Sequence, residues 1–118
     1  MIDAQVLDEL KASVAGDLAF VRDLVDTYVA DSAGQVDAIE AAVTASDADA
    51  LVRPAHTLKS SSATVGAVQL SATARTLEMA GRSGTLAGED AGRAASVLRG
   101  EWEATTSALR AWVDGASE

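Results

Sequence analysis

Apolar residues recur along nearly the whole chain at steps of three and four, and nowhere in a sustained alternation of two. That is the helical period, so strands are not expected. Val6, Leu7, Leu10 and Val14 mark a short first helix, which Gly16 closes. A second helix is expected from about Asp17 to Ala45, with Val21, Val25, Tyr28, Ser32, Val36, Ile39 and Val43 forming a bundle seam. Ser46 is the expected cap of a third helix, and Asp47 and Asp49 fall in its first turn, where the helix dipole favours negative charge. Its inward face is Leu51, Ala55, Leu58, Ser62 and Val65, and Gly66 supplies the left-handed residue of the turn that ends it. Leu70, Ala74 and Leu77 define a fourth helix that stops in "GRSGTLAG". Ala95, Leu98, Trp102, Leu109 and Val113 define a last long one from about Ala87. The pattern predicts an all-α fold, an antiparallel four-helix bundle with a short additional N-terminal helix.

At 118 residues the chain has the length of a single domain, 1–118. Hydrophobic residues make up 48% but aromatics only 3%, so the core must be built from Ala, Val and Leu, which suits closely packed helices. The net charge of -9 disfavours phosphate backbones and anionic lipid, so neither nucleic acid nor a membrane is an expected partner. A protein with a basic or metal-bearing face fits better. Without cysteine there are no disulfides and no thiolate metal sites. No apolar run approaches the roughly 18 residues of a membrane span, and the acidic start "MIDAQVLDEL" is unlike a signal peptide. A cytoplasmic monomer is the expectation. Met1 and the polar "DGASE" end, expected to fray, suggest a whole gene product rather than an excised domain.

The stretch "RPAHTLKSSSATVGA", residues 53–67, contains the chain's one histidine and one proline. Pro54 removes the hydrogen bond to the Ala50 carbonyl, which either leaves a tolerated kink or tips the following turn outward. At 100° per residue His56 points about 140° away from Leu51 and therefore off the core face. Lys59 lies between the histidine and the core stripe, and Ser60 and Ala63 continue along the histidine's side. In the serine run, Ser62 points inward and the other two outward or to the flank. A solitary surface histidine is usually idle. One His without Cys supplies too few ligands for zinc, and no G-x-S-x-G elbow supports a hydrolytic triad. Chemistry that asks little of the site remains: a neutral imidazole nitrogen can accept a phosphoryl group from a partner that brings its own metal and activated phosphate.

"AHTLKSSSATVGAVQL" resembles the signature of histidine-containing phosphotransfer (HPt) domains, H-x-L-K-G-S-S followed by three residues and G-A or G-L. The likeness is close from Ala55 to Leu70 and looser through "TARTLEMAGR" to Arg82; beyond that span only the helical layout agrees. The resemblance implies that His56 is phosphorylated and carries the group between aspartates of response-regulator receiver domains. Lys59 would stabilise the added charge, Gly66 would shape the turn, and Glu78 and Arg82 match positions that face the histidine. Glu78 would take Nδ1–H and orient the ring; spacing alone allows instead a solvated carboxylate paired with Arg82 four residues on. Ser60, Ala63 and Arg82 would meet the partner. Ser60 stands where the family usually has glycine, a small-for-small departure that bears on how a receiver fits. No cofactor of the chain's own is implied; Mg would sit on the partner receiver. The absence of glycine-rich ATP boxes makes this a carrier rather than an enzyme acting on ATP. The other readings are the phospho-accepting domain of a chemotaxis-type or hybrid histidine kinase, and a helical docking module whose histidine is idle.

Overall fold

Steps of three and four gather the apolar residues of each helix into one stripe, and a stripe is buried only when helices pack side by side. The computed structural model describes residues 4–13, 16–85 and 89–116. In order along the chain they form α1 (Ala4–Ser13), α2 (Leu18–Thr44), α3 (Ala48–Thr64), α4 (Val68–Ser83) and α5 (Glu89–Ala116), with no strand among the described residues. α3 packs between α2 and α4, and α5 closes the ring against both of them. Short connections make successive helices antiparallel, and α1 lies against α2. The result is a rod of 48 × 20 × 20 Å.

The core is aliphatic: Val21, Val25, Val36, Ile39, Leu51, Leu58, Leu70, Leu77, Leu98 and Leu109 are almost completely buried. Leu7 of α1 is equally buried, while Val6 and Leu10 are only partly covered; Val14 lies outside the described residues. At the end of α2, Ala42 rather than Val43 is the buried residue. The two straddle the stripe at the last turn, and Val43 packs against the edge of the core. Two polar links cross the interior: the Trp102 indole N–H donates to Ser32 Oγ at 2.8 Å, and the Tyr28 and Ser62 hydroxyls share a hydrogen bond of 2.8 Å. Burial pushes the Tyr28 phenol above its ordinary value in spite of that bond.

The ends of α2 and α3 explain how the chain reverses. Gly66, at φ 79°, donates to the Ala63 carbonyl while Ala67 donates to Ser62, the paired bonds of a Schellman turn. The same pair follows α2, where Ser46 donates to Val43 and Asp47 to Ala42. Here the left-handed residue is Ser46, at φ 53°. Ser46 therefore does not cap α3, contrary to the reading of the sequence. It is consumed by the turn, and Asp47 is the cap, its carboxylate accepting the Ala50 N–H at 3.1 Å.

α3 passes through Pro54 without a break. α5 starts at Glu89 rather than Ala87, with Leu86–Gly88 outside the described residues. It remains helical through Asp114 and Gly115, where a frayed end was expected. No helix among the described residues is long and apolar enough to cross a membrane.

Candidate functional site

α3 and α4 lie side by side, and their approach is set by two residues with no chemical role of their own. Gly81 faces the start of α3 so closely that a Cβ there would stand 3.0 Å from the Ala48 carbonyl oxygen and 3.0 Å from Val52 Cγ2. At the other end of the pair, Ser71 Oγ donates to the Lys59 carbonyl at 2.8 Å. Between these two points the facing turns bring together His56, Lys59, Glu78 and Arg82.

Glu78 is the centre of the group. Its side chain is only 4% exposed, yet three nitrogenous groups converge on it. His56 Nδ1 lies 2.9 Å from Oε2, Arg82 reaches the same oxygen through Nε at 3.0 Å and Nη2 at 2.8 Å, and Lys59 Nζ is 2.6 Å from Oε1. The Lys59 ammonium, opposed by burial and assisted by Arg82 and His56, lowers the Glu78 carboxyl from 4.5 to about 2. It is therefore an ionised acceptor at any ordinary pH. An ionised carboxylate can only accept, so His56 Nδ1 must carry the proton it shares. In the neutral ring the lone pair then belongs to Nε2. The His56 side chain is 54% exposed, and Nε2 has no partner among the described residues.

Glu78 makes both of the contacts that the sequence offered as alternatives, to the ring and to Arg82, and it is buried rather than solvated. A carboxylate can be buried here because His56 and Arg82 hydrogen-bond Oε2 and the Lys59 ammonium is ion-paired with Oε1, in place of the water it loses. Lys59 is likewise not a free arm: in this structure its ammonium rests on Glu78, and its side chain is 30% exposed. Ser60 and Ala63 are exposed on α3, as their spacing predicts, and Gly66 forms the turn beyond them. The sequence reading missed Gly81 and Ser71. A glycine within a helical pattern is a weak sign of a close helix contact, since Gly34, Gly92 and Gly100 also sit in helices and approach nothing; Ser71 offers none. Among the described residues no group of three or more His, Asp or Glu side chains could hold a metal ion.

The helical bundle thus presents one half-exposed imidazole, held by a buried carboxylate on the neighbouring helix. The model of the Hpt domain family matches residues 23–112, and the chain belongs to that family of histidine-containing phosphotransfer domains. Among solved structures, histidine-containing phosphotransfer protein B (HptB) from Pseudomonas aeruginosa PAO1 is similar over 96% of this chain and 94% of its own, with 28% identity and a TM-score of 0.84. No curated protein sequence matches the chain.

Proposed function

We propose that the protein is a phosphorelay intermediate in which His56 receives a phosphoryl group from the aspartyl phosphate of a response-regulator receiver domain and returns it to another. The observation that carries this reading is the 2.9 Å bond from Nδ1 to buried Glu78, which leaves an exposed Nε2 with its lone pair free. Nε2 attacks phosphorus, the P–O bond to the aspartate breaks, and the carboxylate leaves with the electron pair. The ring becomes cationic without losing a proton, and Glu78 lies against the Nδ1–H that carries the new charge. Donation to a second aspartate runs the same step backwards, with the neutral imidazole as leaving group.

Lys59 sits one helical turn from His56 and can exchange Glu78 for a phosphoryl oxygen, because Arg82 and Nδ1–H still hold the carboxylate. Ser60 and Ala63 are small enough for a partner to approach the helix. Mg belongs to the receiver, and the chain acts as a carrier. The test is to incubate the protein with a phosphorylated receiver domain and characterise the label. An acid-labile, base-stable phosphate that disappears in His56→Gln is the expected result; label that survives the substitution identifies a different acceptor.

A further inference from the structure

The charge of the chain is not evenly spread. From residue 50 to residue 88 there are four cations, Arg53, Lys59, Arg75 and Arg82, and one carboxylate, Glu78, for a net +3. The other 79 residues carry five cations and 17 carboxylates, a net -12. The positive stretch falls within the α3–α4 pair, which with Asp49 of the first turn of α3 carries a net +2 as a whole. Within it Lys59 and Arg82 are engaged by Glu78, whereas Arg53 and Arg75 are exposed and form no ion pair among the described residues.

Arg75 lines a shallow groove of about 910 Å³ together with Lys59, Val68, Ser71, Ala72, Thr76 and Met79. Val68, Ala72, Arg75 and Met79 follow one another at steps of four, three and four, so they form one outward stripe of α4. Val68 is 56% exposed and Met79 57%, an apolar pair left in water beside two cations. The groove includes Lys59, whose ammonium rests on the same carboxylate that holds His56. A smaller groove on the other side of α3, about 280 Å³, is lined by Leu24, Tyr28, Asp31, Gln35, Thr57 and Ser61 among others, and contains a carboxylate but no cation. Of the two surfaces beside α3, only the α4 side offers charge complementary to an acidic protein.

We infer that the groove along α4, from Val68 to Met79, is a docking surface for the phosphotransfer partner, a protein presenting an acidic face around its phosphorylated aspartate. This rests on the phosphotransfer reading above. Opposite charge raises the rate of encounter by 10- to 1,000-fold in favourable cases and is screened by salt. Val68 and Met79 supply the apolar centre that such an interface requires.

The experiment compares two phosphoryl donors. Phosphoramidate is small: its P–N bond breaks as the Nε2–P bond forms, ammonia leaves, and no docking surface is needed. The second donor is the phosphorylated receiver domain that labels the wild-type chain fastest. Arg75→Glu is expected to lower the rate constant for transfer from the receiver about tenfold and to flatten its dependence on salt. Met79→Asp should lower it several-fold, and Arg110→Glu on α5 should leave it unchanged. All three should accept phosphate from phosphoramidate at the wild-type rate and keep the wild-type circular dichroism. Wild-type rates and salt dependence in both Arg75→Glu and Met79→Asp would overturn the inference. So would loss of phosphoramidate labelling in Arg75→Glu, which would place the effect at the histidine. A wild-type chain labelled by neither donor would instead remove the phosphotransfer reading itself.

Discussion

Two ion clusters of opposite design join neighbouring helices in this bundle. Between α3 and α4, one buried carboxylate is shared by three nitrogenous groups. Between α2 and α5, one guanidinium is shared by two carboxylates: Arg99 bonds Glu40 through Nε at 3.1 Å and through Nη2, and Asp37 through Nη2 at 2.7 Å. Glu40 and then Asp37 hold Arg99 in its charged form, above the ordinary guanidinium range. Its guanidinium carbon also stands 5.5 Å from the centre of the Trp102 ring. The Arg99 cluster ties two helices together with groups that stay charged. The Glu78 cluster includes an imidazole, which is a nucleophile when neutral, and places its free nitrogen in solvent. Under the phosphotransfer proposal, the difference between the two clusters is that the Glu78 cluster includes one group able to make and break a bond, while every member of the Arg99 cluster stays charged.

The strongest way to test that contrast is His56→Gln. It should abolish phosphorylation while leaving the thermal midpoint and helicity at wild-type values, since the ring is half in solvent. A large loss of stability would mean that the ring is structural, as Arg99 is.

Acid should break the Glu78 cluster first. A carboxyl lowered from 4.5 to about 2 contributes stability that is fully present above 4.5 and is lost as pH falls toward 2. Urea unfolding of the wild type and Glu78→Gln at pH 6 and pH 3 measures it: the wild type should lose the larger part of its stability advantage on acidification. Equal losses in the two proteins would show that the cluster contributes nothing to the fold. At neutral pH, Glu78→Ala should slow phosphoryl transfer by about tenfold, equivalent to 1.4 kcal/mol, and an unchanged rate would remove its orienting role.

Arg99→Ala should do the reverse. Loss of two partly exposed ion pairs and of the Trp102 contact should cost about 1–2 kcal/mol of stability, read from denaturant unfolding, while transfer from a phosphorylated receiver proceeds at the wild-type rate. Slower transfer would mean that the α2–α5 junction also positions the site. The smallest effect belongs to Lys59→Ala. The Lys59 ammonium is half-buried against Glu78, and its attraction for a phosphoryl group at the protein surface is worth about 0.2–1 kcal/mol, so phosphohistidine should decay and transfer only several-fold differently. A complete loss would assign Lys59 a part in the bond-making step.

Much of this architecture was legible in the sequence because burial follows helical period. The helical period puts Leu51, Ala55, Leu58, Ser62 and Val65 on the inward face of α3, and all are buried. The same period puts His56 outside. Ser46 was misread for a different reason: serine favours helix caps, but the turn required a left-handed residue at that place and Asp47 could cap as well. Local preference named two adjacent candidates, and the geometry of the reversal chose between them.

By itself the sequence determined the helices, their apolar faces, the exposure of His56 and the family motif around it, since each depends on neighbours within a few turns. The surroundings of Glu78, by contrast, depend on how α3 and α4 pack. Read along its own helix, it is an acid four residues before an arginine, and nothing local distinguishes a solvated pair from a buried one. Gly81 and Ser71 bring α4 against α3, and that approach removes water from the carboxylate and puts His56 and Lys59 within bonding distance across the gap. The charge, the tautomer and the free Nε2 all follow from contacts between residues 19 and 22 positions apart, which no helical period can reveal.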